Sequence, residues 1–306
     1  MGSLLTARDC ADVLVVAITP RLEDGRVDKE GIGRNVEHLL AAGAKFLMPQ
    51  CGTGLVYDST LAEYEEVVGT FVERAGDRAL VVHGIGPGYG RSLEMGRIAR
   101  ALGVAGTMIM PIVGPASAKG VRNGLQAIAE KVDLPTILYQ RRLDIMPVED
   151  VVALCQLDQV VGLKYAVDDL EAFKQIAAGA GSQAAMVCGM AEEPCIEYLE
   201  AGAVGFSSGM ANFVPRLSLG LLARFKAGQR QEAVALRDLM IPFEDLRGEN
   251  GARYSGSALH AGMECAGLAG GPVIPFAEDV AAEDRPRVAQ MIKVLQDAES
   301  KLKEER

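Results

Sequence analysis

One lysine stands where lysines are uncommon. Lys164 ends the apolar run Val160-Val161-Gly162-Leu163-Lys164-Tyr165-Ala166, and burying an unpaired ammonium in such a strand costs several kcal/mol. Desolvation opposes the charged form, and a neutral amine is the species that attacks a ketone to form an imine. The structural alternative is a lysine that snorkels to a rim or pairs with Asp168 or Asp169. Lys45, Lys119, Lys131, Lys174 and Lys226 fall in expected helices or loops, where water holds a lysine near its ordinary pKa of about 10.4. Tyr139 closes Pro135-Thr136-Ile137-Leu138-Tyr139 one run earlier, within reach of Lys164 if the two runs are neighbouring strands; a core tyrosine is the alternative. Gly52-Thr53-Gly54 offers backbone N–H groups and a hydroxyl able to hold a carboxylate. Arg141 and Arg142 directly follow Tyr139 and suit bidentate grip on the far end of an acidic substrate. Gly189 and the pair Ser207-Ser208 end later runs.

Positioning these groups requires an alternating fold. Eight short runs, Val13–Ile18, Phe46–Pro49, Ala79–His83, Thr107–Met110, Thr136–Tyr139, Val160–Lys164, Ala184–Cys188 and Ala203–Ser207, are each followed by a helix-length segment. Strands alternating with helices predict a parallel sheet, and eight such units favour a closed (β/α)8 barrel over an open doubly wound one. In that barrel all the unusual residues converge on the C-terminal mouth. Asp28 is placed to cap a helix running to Ala42, and Thr60-Leu61-Ala62-Glu63 has capping-box spacing ahead of Tyr64–Ala75. Beyond strand eight the segments Val214–Lys226, Gln229–Leu246, Gly256–Gly267 and Asp284–Lys303 read as helices without strands. Residues 1–226 are therefore expected to form the α/β barrel and 227–306 a C-terminal helical appendage, with Gly248–Gly251 its flexible turn.

Composition excludes several classes. The 306 residues carry a net charge of −10 and no Lys/Arg block, a poor match to nucleic acid or anionic membranes. No apolar run reaches the ~18 residues of a membrane span. Six scattered cysteines without a CxxC pair point to a reducing cytoplasm. Met1-Gly2-Ser3-Leu4-Leu5-Thr6 fits a loose myristoylation pattern, which an ordinary chain start explains more cheaply. Gly84–Gly90 lacks GxGxxG spacing and reads as a flexible loop rather than a dinucleotide site. His38, His83 and His260 form no HxH or HxxxH pair, so no metal and no cofactor is expected; His83 reads as a structural histidine. Cys51 has no adjacent histidine to make it a nucleophile.

In order, the segments resemble the dihydrodipicolinate synthase and N-acetylneuraminate lyase family of Schiff-base barrels, with 5-dehydro-4-deoxyglucarate dehydratases the nearest in look. Cys51-Gly52-Thr53-Gly54 is similar to their GGTG and Gly162-Leu163-Lys164 to their GFK. Ser207–Pro215 resembles their SSAVFNFxP run, and Gly271-Pro272-Val273-Ile274-Pro275 their GPVRAP. The resemblance implies Lys164 as the imine lysine, Tyr139 as the proton-moving phenol, Gly52 with Thr53 as binders of the C1 carboxylate, and Arg141 in place of the arginine of YNR. It also implies a homo-oligomer, a tetramer. Met110-Pro111-Ile112-Val113 stands where much of the family has a tyrosine, which argues against the synthase activity, and Leu55 replaces a common glutamate.

The expected function is thus a class I lyase on a small-molecule 2-oxo acid, with dehydration of a deoxy-oxo sugar acid favoured over aldol cleavage to pyruvate and an aldehyde. Two other classes stay open: a phosphosugar barrel with Gly189 and Ser207-Ser208-Gly209 as phosphate cradle, and a barrel that binds an oxo acid without turnover.

Overall fold

A computed structural model describes residues 3–112 and 114–304. Met1 and Gly2 of the acylation pattern, and Val113 in the segment after strand four, lie outside the described residues. Eight strands, β1 (Val13–Val15), β2 (Phe46–Leu47), β3 (Leu80–Ile85), β4 (Gly106–Ile109), β5 (Thr136–Gln140), β6 (Val160–Tyr165), β7 (Ala185–Cys188) and β8 (Gly205–Ser208), close a parallel barrel in sequence order. All eight expected strands are present. β3 runs two residues further than expected, so Gly84 and Ile85 belong to the strand rather than to the following loop. β8 begins and ends later than expected, which decides where its serines point.

Helices α1 (Lys29–Ala42), α2 (Leu61–Ala75), α3 (Tyr89–Leu102), α4 (Ala118–Val132), α5 (Val148–Cys155), α6 (Leu170–Ala180), α7 (Cys195–Glu200) and α8 (Pro215–Lys226) cover the barrel. Their starts follow the sequence. The Asp28 carboxylate accepts the Gly31 N–H at 2.8 Å, and Thr60 and Glu63 cap each other's backbone reciprocally. Each cap of this sort satisfies N–H groups that have no helical partner and is worth about 1 kcal/mol.

The barrel closes between its first and last strands. Val13, Leu14 and Val15 pair with Phe206, Ser207 and Ser208. Just beyond, buried Asn212 fastens the seam: its side chain accepts the Ile18 N–H at 3.1 Å and donates to the Val16 and Gly209 carbonyls at 2.8 and 2.7 Å. These contacts occupy backbone groups that the widening mouth would otherwise strand away from water.

Helices α9 (Arg230–Ala252), α10 (Ser257–Cys265) and α11 (Arg285–Glu304) form the appendage. α9 runs past Leu246, and helical geometry breaks at Glu249–Gly251, where the sequence places a turn. Met240, Phe243, Leu259, Met263 and Ile292 pack with Ile18, Phe213 and Leu217 in one apolar cluster, drawing on residues from both sides of position 226. The appendage is also clasped to the barrel. Asn35 exchanges two hydrogen bonds with the Ala269 backbone at 2.8 and 3.0 Å, and Arg21 N donates to the Gly270 carbonyl. Among the described residues no helix is long and apolar enough to cross a membrane.

Candidate active site

Strand register assembles the site. Tyr139 pairs with Lys164, Lys164 with Val187, and Val187 with Gly205. Partners on adjacent strands share a face and alternate residues along a strand do too, so Tyr139, Lys164 and Ser207 lie on one side of the sheet. Lys164 is 6% exposed, and its Nζ sits 4.2 Å from the centroid of the Tyr139 ring. Among the described residues it makes no hydrogen bond or ion pair, so neither Asp168 nor Asp169 neutralises it. A cation–π contact is its sole partner, worth about 0.5–2 kcal/mol against a larger desolvation cost. Such an amine is held in place but left free to react.

Gly189 belongs to the lysine rather than to a ligand cradle. A Cβ there would lie 2.9 Å from Lys164 Cγ and 2.8 Å from the Tyr165 carbonyl oxygen, so glycine makes room for the lysine stem. Ser207 and Ser208, expected as a pair at the mouth, are separated by the alternation of β8. Ser207 faces the lumen side, buried and without a hydrogen bond among the described residues. Ser208 faces the helices: its Oγ donates to Glu192 Oε1 at 2.5 Å, accepts the Ala211 N–H at 2.8 Å and lies 3.2 Å from Ser218 Oγ. Gly209 packs beside Leu259 and Arg247 of the appendage. Of the cradle expected from Gly189 and Ser207-Ser208-Gly209, Ser208 and Gly209 thus turn toward the helices and the appendage, and Ser207 stays on the lumen side.

The loop after β2 brings the remaining candidates. An added Cβ at Gly52 would meet nothing within 4 Å, leaving its backbone open to approach, and Thr53 is half-buried. At Gly54 a Cβ would press 3.0 Å from the Ala17 carbonyl oxygen and the Gln50 nitrogen, and its own carbonyl accepts from Thr19 Oγ1 at 3.1 Å. Gly54 thus shapes the loop. The thiol of Cys51 is wholly buried and pushed up to about 12 by burial, with the Lys164 charge pulling the other way. A thiol so buried and so weakly acidic is removed as a nucleophile.

The two arginines divide. Arg142 is committed to an exposed ion pair with Asp144, whereas the Arg141 guanidinium lies 5.9 Å from the Tyr139 ring centroid and forms no ion pair among the described residues. His83 is structural, as its sequence context suggests: its Nδ1 meets the Tyr64 hydroxyl at 2.5 Å, and burial lowers its pKa to about 4. Among the described residues no group of three His, Cys, Asp or Glu side chains is arranged to hold a metal ion.

Two features escape sequence reading. Glu192, in the turn before α7, is fully buried with Oε1 receiving both Ser208 and Ser218 and Oε2 without a partner. Burial raises its carboxyl to about 7, Glu244 adds to the rise, and the serines and Arg247 oppose it. Tyr57, in the loop after β2, is partly exposed, and burial of its hydroxyl end raises its pKa.

The sequence pattern of the dihydrodipicolinate synthetase family matches residues 9–295. Relatives include a probable 5-dehydro-4-deoxyglucarate dehydratase of Bacillus subtilis, 29% identical over 84% of this chain and 85% of its own. A 4-hydroxy-tetrahydrodipicolinate synthase of Acidiphilium cryptum is 30% identical over 89% of this chain and 95% of its own. Among solved structures, dihydrodipicolinate synthase from Oceanobacillus iheyensis superposes with a TM-score of 0.91 at 29% identity, covering 95% of this chain and 98% of that one.

Proposed function

Because the chain belongs to the dihydrodipicolinate synthetase family, whose members are lyases and aldolases, we propose that it is a class I lyase in which Lys164 forms an imine with a 2-oxo acid. The observation that carries this reading is a buried lysine in the barrel lumen that, among the described residues, has the face of Tyr139 beside it and no hydrogen-bond or ion-pair partner. The amine adds to the C2 ketone and water departs; the iminium then withdraws electrons from C3. The C3 proton passes by way of the Tyr139 hydroxyl to the C4 hydroxyl, which leaves as water, and hydrolysis of the imine then releases the dehydrated product and restores Lys164. Gly52 and Thr53 hold the C1 carboxylate and Arg141 the far end of a diacid. Dehydration of a deoxy-oxo sugar acid is favoured over C3–C4 cleavage because several relatives bear the dehydratase name. The enzyme works without a cofactor, as a homotetramer. Six free cysteines support a reducing, cytoplasmic setting.

Borohydride reduction with pyruvate, followed by intact mass and peptide mapping, tests it. Covalent label on the Lys164 peptide, absent in Lys164→Arg, is expected. Label that persists in Lys164→Arg, or no label on the wild type with any 2-oxo acid tried, would overturn the imine.

A further inference from the structure

The loop after β2 is held by a chain of hydrogen bonds that starts on Gln50. This residue is fully buried and holds φ 50°, a conformation a glutamine adopts only when its surroundings impose it. Two glycines make room for it. A Cβ on Gly84 would come within 2.5 Å of the Gln50 carbonyl oxygen, which instead accepts the Gly84 N–H at 3.1 Å, and a Cβ on Gly54 would lie 3.0 Å from the Gln50 nitrogen. The side chain joins the loop to the segment after β1. Gln50 Nε2 donates to Thr19 Oγ1 at 3.0 Å, and Thr19 Oγ1 donates to the Gly54 carbonyl at 3.1 Å. A hydroxyl has one proton, so while Thr19 gives its own to Gly54 its oxygen is free to receive from Gln50.

The backbone of the same loop is divided. The Cys51, Gly52 and Gly54 carbonyls accept from the Val56 N–H at 3.2 Å, the Leu55 N–H at 3.1 Å and the Thr19 hydroxyl. The successive N–H groups of Gly52, Thr53 and Gly54 donate to nothing among the described residues. Carbonyls tied back and adjacent N–H groups left over make a pattern suited to an anion. For the stability of the fold Gln50 is a poor investment, since its Oε1 has no partner. An unmatched buried oxygen offsets much of what the one donated bond contributes.

We propose that Gln50 is a positioning residue, which through Thr19 holds the Gly54 peptide so that the N–H groups of Gly52, Thr53 and Gly54 converge on the carboxylate of the ligand. With the Gln50 donor gone, the Thr19 hydroxyl is free to turn and the Gly54 carbonyl loses its fixed donor. The inference rests on the reading above for the role of Gly52 and Thr53.

The test compares two ketones on the same lysine. Borohydride trapping is followed against concentration with pyruvate and with methyl pyruvate, the same ketone without the carboxylate charge, on the wild type, Gln50→Met, Thr19→Val and Thr19→Ser. Gln50→Met and Thr19→Val should each raise the half-saturating pyruvate concentration about tenfold, with the maximal trapping rate and the methyl pyruvate response changed less than about twofold. Thr19→Ser, which keeps the hydroxyl, should recover most of the loss seen in Thr19→Val. Equal losses with both ketones, no loss with either, or a Thr19→Ser as impaired as Thr19→Val would overturn the proposal. Circular dichroism checks that each variant folds, and if either Gln50→Met or Thr19→Val does not, the other decides. A wild type that traps no pyruvate sinks the imine reading, and one that traps both ketones alike sinks the carboxylate role of the loop; each takes the proposal with it and is seen before any residue is altered.

Discussion

On β8, Ser208 commits its hydroxyl to Glu192, Ser218 and the Ala211 amide, whereas its neighbour Ser207 faces the other side without a hydrogen bond among the described residues. The same contrast runs round the barrel. Toward the helices, His83 meets Tyr64, the Gln140 amide donates to the Arg142 and Met146 carbonyls, and the Tyr165 hydroxyl donates to the Asp169 carbonyl. On the lumen side, Lys164 touches one aromatic face and no acceptor. Partners hold a buried polar group to the fold, and on the helix side each of these side chains has at least one, although His83 Nε2, Gln140 Oε1 and Glu192 Oε2 are left without any.

The sharpest break in this contrast would come from Lys164→Met. It should abolish imine formation and reduce turnover by at least about a thousandfold, roughly 4 kcal/mol. The melting temperature should hold or rise, because a buried amine with no hydrogen-bond acceptor among the described residues is replaced by an apolar chain of similar length. A large loss of stability would show that the lysine has a structural partner after all.

The serine pair should behave in opposite ways. Ser208→Ala leaves Glu192 and the Ala211 amide short of a partner and should cost about 1–3 kcal/mol in chemical denaturation. Ser207→Ala should leave the unfolding midpoint within about 0.5 kcal/mol. Equal destabilisation by both would erase the distinction between the two faces.

Glu192 sharpens it through pH. The fold holds its carboxyl protonated up to about 7, against an ordinary value of 4.5. Between those values the unfolded chain has released the proton and the folded one has not, so this stabilising contribution is full below about 4.5 and is lost as pH rises to about 7. Glu192→Gln cannot titrate. Its stability relative to the wild type should climb by about 1–3 kcal/mol from pH 4.5 to 7 and then level off. A difference that does not vary with pH would mean that Glu192 titrates alike in both states.

The last expected effect falls on substrate binding at Arg141. Arg141→Ala should raise KM for a 2-oxo diacid about tenfold, near 1.4 kcal/mol, while changing pyruvate trapping far less. Equal changes on both would give Arg141 a structural role like that of Arg142.

Lys164 and the eight strands could be read from sequence because a lysine in an apolar run and β-branched segments between helices are local signals. The helix caps at Asp28 and Thr60 were local too. Ser208 could not be read correctly, since its direction depends on where β8 starts and stops, and a shift of one residue reverses the faces. Glu192 stands next to Glu193, and nothing in that pair tells which carboxyl the chain buries. Residue type and position alone do not separate Arg141 from Arg142; the resemblance favours Arg141, and the ion pair of Arg142 with Asp144 depends on the turn after β5.

The seam fastened by Asn212 has a consequence for how the chain is made. Its hydrogen bonds join residues 194 and 196 positions apart, and the Asn35–Ala269 clasp spans 234. On the ribosome β1 emerges first, but its partner on one side is the last strand of the barrel. Every nascent chain that stops short of β8 therefore presents two unpaired strand edges, the features most prone to wrong pairing. Closing so long a loop costs only slightly more entropy than closing one half its length, so the delay lies in the order of synthesis. β1 is the strand that waits longest for its second neighbour.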